Sequence, residues 1–370
     1  MGSTEASGGE GARAASASAR NSRQIKVGPV TVGGGAPVRV QSMCSTDTRD
    51  PEATLSQIGR LHAAGCEIVR VAVPDEKAAD ALAAIKQGSP IPVIADIHFD
   101  FRLALRAARA GVDGLRINPG NIGGEDKVRA VVEEAGGRGL PIRIGVNAGS
   151  VEKDLLKHYG RPGPEAMVAS ALRHLEILER LGFRDVKISL KSSDILDTIA
   201  AYRLLATKTD VPFHLGVTEA GPLIPGTVKS ALGIGLLLFE GTGDTIRVSL
   251  TRDPVDEVRV AWDILRALHL RARGAEIISC PTCGRCQVNL FAAVEEVEQR
   301  LRPLQRILKV AVMGCVVNGP GEAREADVGI AGGKGTAILF KKGRVVRKVP
   351  EAQMVLALLA EIEAMTGERL

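Results

Sequence analysis

Glu67-Ile68-Val69-Arg70-Val71-Ala72-Val73 begins the stretch that decides the fold; Pro92-Val93-Ile94-Ala95-Asp96-Ile97 and Gly114-Leu115-Arg116-Ile117-Asn118 follow it, each after an Ala/Leu/Arg-rich run. Every β-branched run leads into a polar turn and then into a segment with helical spacing. Outward from this stretch the pattern continues at Val38–Met43, Ile142–Asn147, Asp185–Lys191, Pro212–Glu219 and Thr245–Thr251. Asp50-Pro51, Gly163-Pro164 and Asp253-Pro254 read as helix starts with Pro at the first position. Ala64-Gly65, Ala110-Gly111 and Leu181-Gly182 read as helix ends. Eight strand–helix units between Val38 and about Arg273 predict an α/β fold, a closed parallel (β/α)8 TIM barrel. An open doubly wound sheet fits less well, because no G-x-G-x-x-G follows the first strand.

The chain has 370 residues, room for two to three domains. Apolar residues make up 45% and charged residues 25%, an ordinary globular composition. A net charge of only +5 and 3% aromatic residues argue against a nucleic-acid partner. No apolar run is long enough to span a bilayer, so no membrane association is expected. Residues 1–23 contain no aliphatic side chain larger than Ala apart from Met1, and a disordered tail is expected there. The barrel is expected over 24–273 and a smaller α+β domain over 274–370. The tail lacks the apolar core of a secretory signal, which makes the cytoplasm the expected location. There the six cysteines read as metal ligands or buried thiols; Cys44 and Cys66 stand alone and read as the latter.

In such barrels the C-terminal strand ends form the active site. Here those ends are polar at period two, which puts the polar residues on one face. They carry Arg70; Asp96 and His98; Arg116 and Asn118; Arg143 and Asn147; Lys187, Ser189 and Lys191; Thr218 and Glu219; Arg247 and Ser249. Pairing or solvation at the rim accounts for any one of these. It strains for six cations (Arg70, Arg116, Arg143, Lys187, Lys191, Arg247) against two carboxylates (Asp96, Glu219). Uncompensated buried cations are costly, and arginine forks match phosphate oxygens in pairs. The surplus predicts a small, multiply charged ligand, a diphosphate. Lys187 lies deepest in its strand. His98 reads equally well as a general acid or as a structural rim histidine.

After Arg273 come Cys280-Pro281-Thr282-Cys283-Gly284-Arg285-Cys286 and, further on, Met313-Gly314-Cys315-Val316-Val317-Asn318-Gly319-Pro320-Gly321-Glu322. C-x2-C-x2-C with a distant fourth cysteine is a strong metal signal. Structural zinc and an iron–sulfur cluster both fit the spacing. Gly332-Gly333-Lys334-Gly335 lacks the Walker spacing and reads as a hairpin-like loop.

These cysteine strings resemble the 4-hydroxy-3-methylbut-2-enyl diphosphate synthase family. So do Asp96-Ile97-His98-Phe99, Leu115-Arg116-Ile117-Asn118-Pro119-Gly120-Asn121, Ile188-Ser189-Leu190-Lys191-Ser192-Ser193-Asp194, His214-Leu215-Gly216-Val217-Thr218-Glu219 and Gly243-Asp244-Thr245-Ile246-Arg247-Val248-Ser249. The resemblance implies a TIM barrel followed by an iron–sulfur domain. It implies reductive ring opening of 2-C-methyl-D-erythritol 2,4-cyclodiphosphate in isoprenoid-precursor biosynthesis, with electrons from flavodoxin or ferredoxin. It implies a 4Fe–4S cluster on Cys280, Cys283, Cys315 and Glu322, the carboxylate being the displaceable ligand. It implies substrate binding by Arg70, Asp96, Arg116, Arg143, Asn147, Lys191, Arg247 and Ser249, and catalytic roles for Glu219 and Glu322. Lys187 has no counterpart in that set, and Cys286 is expected to be a spectator. The short Arg273–Ser279 segment reads as a linker and implies a head-to-tail homodimer, in which one subunit's cluster serves its partner's barrel. Two rival readings are a zinc-stabilised phosphosugar-binding protein without redox activity and a barrel aldolase or isomerase using Lys191 as a Schiff base.

Overall fold

The computed structural model describes residues 19–315 and 323–370. The first eighteen residues of the expected tail, and Glu322, lie outside the described residues. The chain divides into two compact units between Arg271 and Ala272.

The first unit opens with a hairpin, β1 (Ile25–Val27) and β2 (Val30–Val32). Then follow β3 (Arg39–Met43), β4 (Ile68–Ala72), β5 (Val93–Asp96), β6 (Gly114–Ile117), β7 (Ile142–Asn147), β8 (Val186–Lys191), β9 (His214–Leu215) and β10 (Thr245–Ile246). These eight form one parallel sheet in the order β8-β7-β6-β5-β4-β3-β10-β9. A parallel bridge between Ile188 and Phe213 joins its edges into a barrel. Outward strand residues such as Val69, Val71, Leu115 and Ile144 are buried with the helices in one continuous apolar cluster. Asp50 caps the helix Pro51–Ala64 by accepting the Ala53 N–H, and Gly65 ends it in left-handed backbone (φ +102). Asp253 caps Pro254–Ala267 in the same way.

Three features depart from the sequence reading. Strands β9 and β10 are two residues each, shorter than the runs Pro212–Glu219 and Thr245–Thr251 suggested. Just past β9 the backbone is crowded: a Cβ on Gly216 would lie 2.7 Å from Lys191 Nζ and 2.8 Å from the Arg247 carbonyl oxygen. The β1–β2 hairpin, which the strand pattern did not reveal, packs Ile25, Val27 and Val32 on Ile68 and Ile94 at the N-terminal end of the barrel. Finally, the expected tail does not extend to residue 23. The Arg20 backbone N–H donates to Gly241 O (2.8 Å), the Arg23 N–H donates to Asp210 O (2.7 Å) and Ser22 Oγ donates to Asp244 (2.6 Å). Arg20 also stacks its guanidinium 3.9 Å from the Phe213 ring centroid. Polar and cation–π contacts hold this stretch, and apolar composition does not report them.

The second unit is a five-stranded sheet: β11 (Ala275–Ser279), β12 (Leu308–Met313), β13 (Val328–Gly333), β14 (Thr336–Lys341) and β15 (Arg344–Pro350). They lie in sequence order; β11, β12 and β13 run parallel, and β14 and β15 return antiparallel. The expected linker Arg273–Ser279 is therefore mostly strand β11, paired along its length with β12. Gly335 turns the β13–β14 hairpin with φ +72. Helices Leu290–Leu301 and Met354–Thr366 bury one sheet face around Val310, Val312, Ile330 and Leu339. The other face carries a smaller cluster that includes Ala311, Met313, Ala331 and Phe340. Among the described residues no helix is long and apolar enough to cross a membrane.

Candidate active site

Strand register assembles the cations. Arg116 pairs with Asp96 on one side and Arg143 on the other, and Arg143 pairs with Lys187. Residues in register on parallel neighbours share a face, so one row across four strands carries all four side chains into the barrel. Asn147 pairs with Lys191 two inward positions further along the same strands, past Gly145 and Ser189. Arg70, Arg116, Arg143, Lys187 and Lys191 are all buried, whereas Arg247, Asn147 and Ser249 are half-buried. A Cβ on Gly145 would lie 2.8 Å from Arg116 Nε, so glycine makes the room this guanidinium occupies.

Asp96 binds three of its neighbours. Its Oδ2 lies 3.3 Å from Arg70 Nε, and its Oδ1 lies 3.1 Å from Arg116 Nη1 and 3.3 Å from His98 Nε2. Burial opposes its ionisation, but the charges of Arg70, Arg116 and Arg143 outweigh burial and hold the carboxyl below its usual range. His98 is pulled down by burial despite Asp96. Burial is also the main force on Arg70, Arg143, Lys187 and Lys191. It pushes Arg70 down to about 10 and Lys187 down to about 7, with neighbouring guanidinium groups adding to both. Arg143 and Lys191 fall well below their ordinary values for the same reasons.

Among the described residues, Arg116 Nε, Arg143 Nε and Nη1, Lys187 Nζ and Arg247 Nε are buried without a hydrogen-bond partner. Each such group costs about 1–3 kcal/mol, and charged groups cost more. Acceptors from outside the protein, carried on an anion, would complete this arrangement.

Sequence reasoning missed Glu257, His214 and Tyr202. Glu257, buried on the helix Pro254–Ala267, places Oε2 3.5 Å from Arg247 Nη2 and accepts the Leu250 N–H at Oε1 (2.9 Å). Its carboxyl is pushed up by burial, against the pull of Arg247. His214 Nδ1 lies 2.8 Å from Thr245 Oγ1, and the Tyr202 hydroxyl donates to His214 O (2.6 Å). The two-residue periodicity that exposed the arginines also contains His214; nothing local marks Glu257, which lies on a helix. Glu219 is exposed, beyond β9, in left-handed backbone (φ +54). Cys44 and Cys66 are buried, and burial pushes both thiols up to about 12.

In the second unit two neighbouring parallel strands end at the cysteines. Ser279 pairs with Val312, so Cys280 follows β11 at the level of Met313, the last residue of β12, after which come Gly314 and Cys315. The Gly314 N–H donates to Cys280 Sγ (3.3 Å), and a Cβ on Gly314 would lie 2.6 Å from Cys286 Sγ. Cys286 itself donates its thiol to Val288 O (3.3 Å). Cys315 is buried, Cys280 half-buried and Cys283 exposed. Among the described residues no three His, Cys, Asp or Glu side chains converge on one metal position. Thiols gathered at adjacent strand ends, one already accepting a backbone N–H, nonetheless suit a thiolate-held iron–sulfur group, whose sulfurs accept such bonds.

The GcpE TIM-barrel domain description matches residues 22–262, and that of the GcpE protein C-terminal domain matches residues 276–364. The chain belongs to the GcpE family. It is 65% identical over 347 residues to a Geobacter sulfurreducens protein named 4-hydroxy-3-methylbut-2-en-1-yl diphosphate synthase (flavodoxin), covering 94% of this chain and 98% of the relative. Relatives of the same name in Maridesulfovibrio salexigens and Thermodesulfovibrio yellowstonii are each 60% identical, over 95% and 93% of this chain and 98% of each relative. GcpE membership bears out the barrel with its smaller second domain, the family resemblance and the iron–sulfur oxidoreductase class. The zinc-stabilised binding protein is not favoured.

Proposed function

We propose that this chain opens the ring of 2-C-methyl-D-erythritol 2,4-cyclodiphosphate reductively, giving 4-hydroxy-3-methylbut-2-en-1-yl diphosphate for isoprenoid-precursor biosynthesis. The row of buried cations with unpartnered donors carries this reading. Two linked phosphoryl groups bring the negative charge that the row lacks. Arg70, Arg116, Arg143, Lys191 and Arg247 bind them, with Asn147 and Ser249 as neutral donors. Asp96 acts through Arg70 and Arg116, whose guanidinium groups it orients.

Opening the ring and releasing one oxygen as water consumes two electrons and two protons. Glu219 is the carboxylate that handles protons; its left-handed backbone is a strain that an active-site loop retains. Cys280, Cys283 and Cys315 would hold a 4Fe–4S cluster, with Glu322 as fourth ligand. Such a cluster would supply single electrons, and a carboxylate, a weaker ligand than thiolate, would be the displaceable one. Cys286, engaged with Val288, is a spectator.

The electron donor is a flavodoxin, the carrier in the relatives' names, with ferredoxin as the alternative. The working assembly is a homodimer. Helix Leu223–Phe239 supports it, exposing Ile224, Val228, Leu232, Leu236 and Phe239 in a stripe of the kind that marks a protein interface. The cytoplasm, where thiols stay reduced, suits the cysteine set. Electron paramagnetic resonance of the anaerobically reduced protein tests the proposal: a cluster signal altered by the cyclic diphosphate is expected. A colourless protein with zinc on four thiolates sinks it.

A further inference from the structure

Residues 334–350 contain six cations (Lys334, Lys341, Lys342, Arg344, Arg347, Lys348) and no carboxylate. Most of them lie on or beside β15, the edge strand of the second unit's sheet. Lys341 pairs with Glu361. Among the described residues Lys342, Arg344, Arg347 and Lys348 are exposed and have no carboxylate partner. Val345 and Val346 between them are 57% and 48% exposed. An exposed apolar centre ringed by like charges is the layout of a transient docking surface.

Register relates this edge to the cysteines. Lys348 pairs with Ile338, Ile338 with Ala331 and Ala331 with Met313, two residues before Cys315. Cys280 follows β11 at the same level and packs against the cluster that contains Met313 and Ala331. Three strand spacings put the Lys348 backbone about 14 Å from Met313. We propose that β15 and Lys342 form the docking edge for an acidic, one-electron carrier protein. The inference rests on the reductive reading above. The reduced carrier gives up one electron at each encounter, and two encounters balance the two-electron ring opening, with protons taken from solvent.

The bland alternative is that these cations only discourage edge-to-edge strand pairing. Kinetics of the cluster-loaded enzyme with two reductants separates the readings. The Arg344→Glu/Arg347→Glu/Lys348→Glu variant is compared with wild type and with a matching Gln variant. With reduced flavodoxin as carrier, the Glu variant is expected to raise the carrier KM about tenfold or more at low salt, with the Gln variant intermediate. The salt dependence flattens, and the Kd of flavodoxin for the immobilised enzyme rises by the same factor. Iron content and dithionite-driven turnover stay at wild-type values. An unchanged carrier KM overturns the proposal, whether or not the variants aggregate. A parallel loss of dithionite-driven turnover also overturns it, because the strand then serves the fold. A wild-type enzyme that dithionite drives but flavodoxin does not overturns the docking edge alone; failure of both reductants sinks the ring-opening reading itself.

Discussion

Arg116, Arg143 and Lys187 sit on three neighbouring strands whose register sets them side by side, whereas Cys280, Cys283 and Cys315 sit just past strand ends, where the chain leaves the ladder. The barrel places its cations by backbone hydrogen bonding and accepts the cost of leaving several of their buried donors without a partner. The cysteine segment places two strand ends and leaves convergence to the loops. On the proposed reading, anion recognition is thereby built into the scaffold, and cluster ligation would depend on the group held.

The largest expected effect follows from that contrast. Cys315→Ala should abolish iron binding and lower turnover on the order of 100-fold or more. Calorimetric binding of the cyclic diphosphate to the barrel should stay within a few-fold; loss of both would break the contrast. Arg143→Met should do the reverse, keeping the iron while weakening substrate binding about 10–100-fold, the worth of a charged hydrogen bond of about 1.5–3 kcal/mol. Glu257→Gln sharpens the comparison further, since it keeps an acceptor for Leu250 but removes the charge beside Arg247. We expect about a fivefold rise in substrate KM in the wild-type background and none in Arg247→Ala, the signature of coupled residues. An equal rise in both backgrounds would mean that Glu257 acts independently of Arg247.

The smallest effect concerns stability. Lys187 titrates near 7 when folded and near 10.4 when unfolded. Below pH 7 it is charged in both states and its full burial penalty opposes folding. Between about 7 and 10.4 only the unfolded chain holds the proton, so the penalty fades as pH rises. Lys187→Met should therefore raise the melting temperature most at pH 6 and progressively less towards pH 10. A gain independent of pH would show that volume, not charge, limits this position.

The polar parity of the barrel strands was legible because a strand alternates faces whatever surrounds it. Arg70, Arg116, Arg143 and Lys191 could be picked out on that basis before any pairing was known. Glu257 could not, because its position beside Arg247 depends on how a helix docks against a strand end. The β1–β2 hairpin and β11 escaped for a related reason: the hairpin strands pair locally but are held by packing on the distant Ile68 and Ile94, and β11 becomes a strand by pairing with the distant β12. Arg20, Ser22 and Arg23 belong to an apolar-poor segment, and only their hydrogen-bond partners across the barrel mark them as ordered.

Local chemistry alone thus determined the eightfold strand–helix period, the inward face of the barrel strands and the clustering of thiols, since each depends on spacing along the chain. The tertiary structure decided which cations become neighbours, which of them a carboxylate supports, where β9 and β10 stop, and that a basic strand lies in register with the end of β12, beside the cysteines. Those outcomes depend on pairing between residues far apart in sequence, and the energy that selects the pairing exists only once the sheets have formed.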